Sequence, residues 1–307
     1  MYYSIVLPLL DIIALLAYAV VLSSYERRCM AMLHMRDAPT CWGALGLLQP
    51  LADGGKLLLK AWVTPAVGDS ILTGIMLAAL VSASMLVGCA NAPCSTAYYA
   101  LCHVAWIHIA IFLLTHSTIE IWLAAQQGSK YAILAMGRLL HVFYGVEVLW
   151  VVLFSTCMLS GVVLSADTIY IHCTASLGIA ALPSMLLLLC ISMLECSLHP
   201  YDILECEPEI VSGYYVDHGA VAFMLLYLAE GILMVSLLLS IYTASISTIA
   251  CIPIVASIVV WVLMACILML RYMSCRWRLA DVLTTTCRVL CLDVVLTATA
   301  VSVFFFF

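Results

Sequence analysis

Charged residues are scarce in this sequence. Asp, Glu, Lys and Arg together form 9% of its 307 residues, whereas ordinary soluble domains contain about 25%. Hydrophobic residues form 66% of the chain, and the mean hydropathy is +1.19. This balance excludes a soluble globular domain and predicts a protein that crosses a membrane several times.

Cysteine is abundant, but the cysteines do not have the spacing that is typical of metal sites. None of the 15 cysteines belongs to a C-x-x-C pair. The closest pairs, Cys287 with Cys291 and Cys89 with Cys94, have no companion cluster of ligands. We predict free thiols that are buried or face lipid. No phosphate loop, nucleophile elbow or nucleic-acid-binding pattern occurs either. The chain is therefore predicted to bind no metal and no nucleic acid, and to contain no catalytic residue.

Strand-like alternation is largely absent from the apolar segments. Backbone groups in lipid must find hydrogen-bond partners within their own segment, and a helix needs about 20 residues to cross the hydrocarbon. We predict a single all-α polytopic membrane domain over residues 1–307, with eight transmembrane helices. Its apolar runs fall at 3–24, 70–91, 98–123, 139–164, 170–194, 218–242, 245–270 and 287–307.

Basic residues are missing from the connections on one predicted side. With eight spans, all eleven Lys and Arg residues fall in the first, third and seventh connections or at adjoining helix ends. Basic connections mark the cytoplasmic or matrix side. The N-terminus is therefore predicted on the opposite side, periplasmic or facing the intermembrane space. Because basic residues follow the first apolar run, that run is interpreted as a membrane helix and not as a cleaved leader.

The first connection contains the stretch GLLQPLADGGKLLLK. Its leucines are interspersed with Asp53, Lys56 and Lys60, and Pro50 suits the first turn of a helix. We predict an amphipathic helix that lies in the membrane interface. A solvated loop helix is the alternative.

Several acids occupy or close apolar runs. An acid at the centre of a membrane helix costs about 2.5–3.5 kcal/mol, so it tends to face the protein interior or a path for water. We predict that Glu147, Glu195 and Glu230, from consecutive spans, line one polar cavity on the basic side. Simple hydrogen bonding between helices is the alternative for each of them. Asp11 and Glu120 receive no role, and the histidines of the spans are expected to pack and not to bind metal.

The connection ECSLHPYDILECEPEIVSGYYVD, residues 195–217, is acidic and contains no Lys or Arg. It lies on the same predicted side as the basic residues. We therefore expect it to pair with Arg27, Arg36, Arg271 or Arg276. A partly buried charge network of this kind can change its ionisation when a nearby reaction consumes protons.

Three blocks of the sequence carry a family resemblance. YERRCMAMLHMRDAPTCWGALGLLQPLADGGKLLLK is similar to V-E-R-K, R-x-G-P-N and G-L-L-Q-P-x-A-D with two spaced lysines. GSKYAILAMGRLLHVFYGVEV is similar to S-K-Y-A-L followed by an arginine and a glutamate. ECSLHPYDILECEPEIVSGYYVDHG is similar to E-T-N-R-x-P-F-D-L-x-E-x-E-x-E-L-V-S-G. Together they resemble subunit 1 of respiratory complex I, the proton-pumping NADH–quinone oxidoreductase.

The resemblance implies an eight-helix subunit at the junction of the membrane and hydrophilic arms of complex I. It implies that connections on the basic side form the mouth and wall of a quinone channel. It also implies that Glu147, Glu195 and Glu230 begin a buried polar path toward the pumping subunits. The residues that would line or brace the channel are Glu26, Arg27, Arg36, Asp53, Glu205, Glu207, Arg271 and Arg276.

The resemblance further implies ubiquinone as substrate, with NADH, FMN and iron–sulfur clusters held by partner subunits. The expected partners are the other membrane subunits, the quinone-reducing subunits of the hydrophilic arm, and lipids. The expected location is the mitochondrial inner membrane, with the bacterial plasma membrane as the alternative. Abundant cysteine and drifted motifs favour a divergent organellar member.

This chain departs from the family pattern beside Glu195. Leu198 stands where E-T-N-R has its arginine, Cys196 and Ser197 replace the threonine and asparagine, and Asp217 replaces a glutamate. We expect Arg276 or an arginine of a neighbouring subunit to replace the missing positive charge.

Two other classes of membrane protein fit the composition. A proton-coupled secondary transporter would explain buried carboxylates, but it predicts internal repeats, and the acids here cluster in the middle helices. A seven-helix receptor predicts an extracellular disulfide and a basic third inner connection, whereas the comparable connection here is acidic.

Overall fold

The computed structural model describes residues 2–43, 46–63, 68–91, 105–159, 178–202, 207–249 and 253–306. Regular structure within these ranges is helical throughout, with no strand. A short 3-10 turn, Gly213–Tyr215, precedes the central helix of the bundle. The α-helices are α1 (Tyr2–Leu33), α2 (Gln49–Leu58), α3 (Ser70–Asn91), α4 (Ala105–Gln127), α5 (Lys130–Leu159), α6 (Gly178–Glu195), α7 (Glu207–Ile210), α8 (Ala220–Ile249), α9 (Pro253–Met273) and α10 (Leu279–Phe306).

Every predicted apolar run overlaps one of the long helices. Among the described residues, five segments are long and apolar enough to cross a membrane: Leu9–Leu33, Ser70–Cys89, His108–Gln127, Lys130–Val152 and Ala220–Ile241. The prediction of an all-α polytopic membrane protein is therefore confirmed. The number of eight spans stays a prediction.

The corner between α4 and α5 explains why α5 begins earlier than its predicted apolar run. Gly128 has a φ of +65°, a conformation that glycine adopts without strain at the end of a helix. Ser129 then caps α5, since its hydroxyl oxygen accepts the backbone N–H of Ala132 at 3.2 Å. A capping serine satisfies one of the free N–H groups at a helix start. Polar capping, which hydropathy does not register, thus sets this boundary.

Helix α8 lies at the centre of the described bundle and contacts α1, α2, α3, α6 and α9. Its buried face includes Ala229, Ile232 and Leu233, each fully enclosed. Two buried serines also lie in this helix, and each donates to the carbonyl three residues before it. The Ser236 hydroxyl donates to Leu233 at 2.7 Å, and the Ser240 hydroxyl donates to Leu237. Such local hydrogen bonds satisfy a hydroxyl without a partner helix.

The amphipathic helix of the first connection is present as α2, with Pro50 in its first turn. It contacts α1 and α8, and Gly54 brings its backbone close to Met224 of α8. Its apolar side points outward, because Leu51 and Leu58 are each 56% exposed. The helix itself is thus confirmed, while its place in a membrane interface stays a prediction.

The preceding segment depends on a glycine of the G-L-L-Q-P block. Gly46 is buried and has a φ of +71°. A Cβ at this position would collide with the carbonyl oxygen of Pro39. Only glycine fits this conformation and this close approach of two backbones.

Candidate functional site

Two consecutive residues of α1 form ion pairs with different neighbours. Glu26 pairs with Arg271 in the last turn of α9, and the hydroxyl of Tyr272 also donates to its carboxylate at 3.3 Å. Successive helical side chains point about 100° apart, so Arg27 turns toward α2. There its guanidinium donates to Asp53 at 2.6 Å. These pairs fasten α1 to α9 and to α2.

Asp53 accepts a second hydrogen bond on α2 itself, from the side-chain amide of Gln49 at 3.2 Å. The hydrogen bond from Arg27 holds the pKa of the Asp53 carboxyl below its usual value. Because the side chains of this pair are 40% and 34% exposed, its contribution to stability is that of a surface ion pair. The pair orients α2 more than it stabilises the fold.

A second group of charges lies where α5, α6 and α10 approach one another. Arg276, between α9 and α10, pairs with Asp202, and Arg138 of α5 contacts Glu209 at 2.7 Å. A cavity of about 190 Å³ opens among these side chains. Its lining residues are Arg138, Asp202, Glu209, Arg276, Trp277, Arg278 and Leu279. The expected pairing of the acidic connection with a basic connection therefore occurs through Asp202.

Aromatic contacts hold this corner in place. The backbone N–H of Trp277 donates to the carbonyl of Pro200 at 3.2 Å. The rings of Tyr201 and Trp277 meet edge to face with centroids 5.4 Å apart, an arrangement favoured by aromatic quadrupoles. The connection between α9 and α10 is thereby attached to the segment that follows Glu195.

The arginine that the family pattern places at 198 is replaced by a packed side chain. Leu198 and Cys196 are both buried in the main hydrophobic cluster. Arg276 supplies positive charge to the acidic connection, but its partner is Asp202. Glu195 receives neutral donors, because Ser117 donates to its carboxylate at 3.2 Å and the indole N–H of Trp150 at 3.4 Å.

The three acids predicted to share a cavity lie around one position. Glu147 interacts electrostatically with Glu195, and both Glu195 and Glu230 interact with the thiol of Cys196. Their helices, α5, α6 and α8, also contact one another in the pairs α5–α6 and α6–α8. A continuous wet cavity joining the three carboxyl groups stays a prediction.

Glu120, for which no role was predicted, belongs to the same cluster. It is buried on α4, and its carboxylate interacts electrostatically with that of Glu195. His116, also buried, lies one turn earlier with its Nδ1 at 3.5 Å from the Glu120 carboxylate. The signal in the sequence was the spacing H-S-T-I-E, which puts a histidine and an acid on one face of a helix.

Three further residues were predicted for the channel, and only one of their side chains is described. Arg36 is exposed just beyond the end of α1. Glu205 lies outside the described residues, and Glu207 is described only as the first residue of α7. Within the part of the chain that is described, no group of three or more His, Cys, Asp or Glu could hold a metal ion. The cysteines described there, including Cys29 and Cys196, are free thiols.

Two histidines outside the span Ala220–Ile241 lie within the acidic connection (His199) or directly after it (His218). Burial lowers the pKa of His218 to about 4, against an opposing effect of neighbouring Asp217. Burial also lowers the pKa of His199. Half-buried His218 follows the turn Gly213–Tyr215, where the hydroxyl of Tyr214 donates to that of Tyr215 at 3.0 Å.

Comparison with known proteins identifies the family. The sequence model of the NADH dehydrogenase family matches residues 6–306. NADH-ubiquinone oxidoreductase chain 1 of Dictyostelium citrinum is 31% identical over 241 residues, which cover 76% of this chain and 73% of that protein. Chain 1 of Alligator mississippiensis is 30% identical over 238 residues, covering 74% and 70%. A subunit of the NADH-quinone oxidoreductase of Rickettsia prowazekii is 30% identical over 240 residues, covering 74% and 66%. The chain therefore belongs to the NADH dehydrogenase family of membrane subunits, together with chain 1 of NADH–ubiquinone oxidoreductases and its bacterial relatives.

Proposed function

We propose that this chain forms the quinone-access channel of an NADH–quinone oxidoreductase and the start of the carboxylate path that couples quinone reduction to proton translocation. The observation that carries the proposal is the cluster around Glu195, in which carboxylates from several helices interact inside an apolar bundle. Acids in the membrane interior are costly, so those that are present tend to mark proton paths or substrate sites. The transporter and receptor alternatives have no comparable support.

The channel is assigned to the end of the bundle where ion pairs join α1, α2 and α9. Glu26, Arg27, Asp53 and Arg271 would brace its wall through the two pairs that fasten α1 to its neighbours. Arg276 would brace the acidic connection through Asp202. Arg36, Glu205 and Glu207 complete the set, as their family-matched positions imply. An isoprenoid tail requires an apolar tunnel that opens to lipid, which long helices can line.

The proton path would begin at Glu195 and continue to Glu147 and Glu230. Forming a quinol consumes two protons, so reduction of quinone close to these acids would change which of them hold protons. Glu195 is suited to this role because its donors, Ser117 and Trp150, are neutral. Hydrogen bonds from neutral groups stabilise a carboxylate without fixing its charge as an arginine would.

The electron donor would be supplied by partner subunits that hold FMN and iron–sulfur clusters and oxidise NADH. The other membrane subunits and the quinone-reducing subunits of the hydrophilic arm would adjoin this chain. We assign it to the mitochondrial inner membrane with eight spans and the N-terminus in the intermembrane space. Basic residues on a single side of the bilayer support that orientation.

Glu195→Gln in the assembled enzyme tests the path. We expect quinone reductase turnover and the number of protons pumped per electron to fall. The matched control is Asp11→Asn, which removes a half-buried carboxylate of α1 away from the cluster. Glu205→Gln and Glu207→Gln test the acidic connection in the same assay. If both variants pump protons at the unaltered rate and with the unaltered stoichiometry, these two residues take no part in the coupling of quinone reduction to proton translocation.

A further inference from the structure

The buried pair His116–Glu120 is not part of the path proposed above. Both side chains are almost fully enclosed, with 1% and 8% of their surface exposed. They lie on the face of α4 that also carries Ser117, whose hydroxyl reaches Glu195. Glu120 follows Ser117 by three residues, so the two stand one above the other on the helix. Ser117 thus links this face of α4 to Glu195, and the carboxylate of Glu120 interacts electrostatically with that of Glu195.

The hydrogen bonding of His116 fits a neutral ring. Its Nδ1 faces the Glu120 carboxylate at 3.5 Å, whereas its Nε2 is buried and has no hydrogen-bond partner. A doubly protonated ring would bury an unpaired, charged N–H, which is more costly than an unpaired lone pair. His116 therefore suits the tautomer with its hydrogen on Nδ1, where it can donate to Glu120.

Ser117 has two alternative hydrogen-bond acceptors. Its hydroxyl oxygen lies 3.0 Å from the carbonyl of Leu113 and 3.2 Å from the Glu195 carboxylate. A hydroxyl has one hydrogen, so it donates to only one of them at a time. When Glu195 is ionised, Ser117 donates to it. When Glu195 is protonated, Ser117 can donate to Leu113 and accept the hydrogen of the Glu195 carboxyl.

We propose that Glu120, supported by His116, is an additional proton-binding site that exchanges one proton with Glu195. In the exchange the O–H bond of the Glu120 carboxyl breaks and an O–H bond forms on Glu195, so the pair keeps the same net charge. The two carboxylates repel each other electrostatically, and ionising both in a low-dielectric interior is costly, so together they favour holding one proton. Ser117 changes its acceptor as the proton moves. This inference rests on the proposed proton path.

Other titratable groups surround the two carboxyls and set the cost of each proton position. Trp150 of α5 contributes only a neutral donor to Glu195, and the turn Gly213–Tyr215, which packs on α4, carries tyrosine hydroxyls bonded to each other. Arg271 is a basic group that interacts with this region, through Cys196. Further titratable groups around the pair are Glu147, Cys196 and Glu230.

The test uses the assembled enzyme in sealed membrane vesicles, with the variants Glu120→Gln, Glu195→Gln, their double variant, and Asp11→Asn as control. We measure quinone reductase turnover across pH, protons pumped per electron, and the infrared absorption change of protonated carboxyl groups on quinone reduction. Glu120→Gln should lower turnover roughly tenfold, which is the change in rate expected if moving the proton becomes harder by the free energy of about one pKa unit. It should also remove part of the carboxyl infrared signal. The double variant should be no slower than Glu195→Gln alone, because residues acting as one unit are not additive.

A second pair of variants covers the case in which Glu120→Gln fails to assemble. Ser117→Ala removes the hydroxyl that donates to Glu195 and should slow turnover, whereas Ser117→Thr keeps a hydroxyl there and should restore turnover. The decisive variant is Glu120→Gln, or Ser117→Ala if Glu120→Gln does not assemble. If that variant behaves like the Asp11→Asn control while Glu195→Gln is impaired, the role of Glu120 is overturned and the proposed proton path stands. A normal Glu195→Gln enzyme would overturn the proposed proton path together with the role of Glu120.

Discussion

Glu26 and Arg271 join two helices that are far apart in the sequence, and their environment decides what the pair contributes. The side chains are 17% and 30% exposed, which leaves them partly desolvated. Removing one partner therefore leaves the other with fewer hydrogen bonds than it would have in water. The Tyr272 hydroxyl remains as a partner of Glu26, so the loss is smaller than for a fully buried charge.

We predict that Glu26→Gln and Arg271→Met each speed thermal inactivation of the purified enzyme about fivefold, which corresponds to about 1 kcal/mol. The double variant should inactivate no faster than the worse single variant, because both changes remove the same interaction. Half-lives of quinone reductase activity at a fixed elevated temperature give the measurement. Arg288→Met, at an exposed position of α10, is the control. If the double variant instead inactivates at a rate raised by the product of the two single effects, the two residues stabilise the enzyme independently and not through their ion pair.

His218 makes the segment before α8 sensitive to acid. Its pKa is about 4 in the folded chain against an ordinary 6.5. Between these values the unfolded segment binds more protons than the folded one, so stability falls as the pH falls. Above the ordinary pKa, both states are neutral at this residue and the effect vanishes.

We predict that amide hydrogen exchange in residues 210–219 accelerates as the pH falls from about 6.5 to about 4, after correction for the intrinsic pH dependence of exchange. His218→Gln removes the titration and should flatten this dependence. His34→Gln, at an exposed site after α1, should leave it as in the unaltered enzyme. An equal pH dependence in the His218→Gln enzyme would assign the effect to another group.

At the scale of the element, α2 directs Leu51 and Leu58 to the outside and Asp53 to the protein. On a helical projection Gln49, Asp53 and Lys56 share one side, and Leu51 and Leu58 lie opposite. Asp53 turns toward Arg27 of α1, so the leucine side faces away from the bundle. A soluble protein would bury that side, whereas a lipid surface accepts it.

We predict that a cysteine at Leu58 is shielded from a membrane-impermeant maleimide, while a cysteine at Lys56 is labelled readily. Both positions are exposed in the protein itself, so only lipid or a partner subunit can distinguish them. Peptide mass spectrometry identifies the modified site despite the native thiols. Adding detergent should raise the labelling of Leu58→Cys if lipid provides the cover. Equal labelling of both positions in intact membranes would contradict an interfacial α2.

The helices could be predicted from sequence because lipid imposes a simple rule on composition and length. Each apolar run overlaps a helix, and α2 was predicted from its pattern and Pro50. The boundaries depended on polar details, such as Ser129 at the start of α5. The pairing of Asp202 with Arg276 could be expected only as one of several possibilities, because tertiary contacts select the partner. Glu120 was given no role, since only folding shows that its face of α4 meets Glu195.

At the scale of the whole molecule, large apolar side chains cover much of the outer surface. Ile71, Ile13, Trp122 and Val151 are between 59% and 77% exposed, on four different helices. Soluble monomers rarely expose so many large apolar side chains. This surface requires lipid or neighbouring membrane subunits around the bundle.

We expect this chain to work only within an assembly whose other subunits carry the redox centres. The family relatives are named as one chain or one subunit of an NADH-ubiquinone or NADH-quinone oxidoreductase. We predict that the chain, extracted in mild detergent, migrates on a native gel in an assembly many times its mass of 33.5 kDa, in the band that reduces a dye with NADH. The purified isolated chain should show no NADH–quinone reductase activity, because electron transfer to quinone needs a redox centre nearby. A porin-sized unrelated membrane protein from the same extract serves as the migration control. Migration at the mass of a monomer in the same gel, or reductase activity of the isolated chain, would contradict this arrangement.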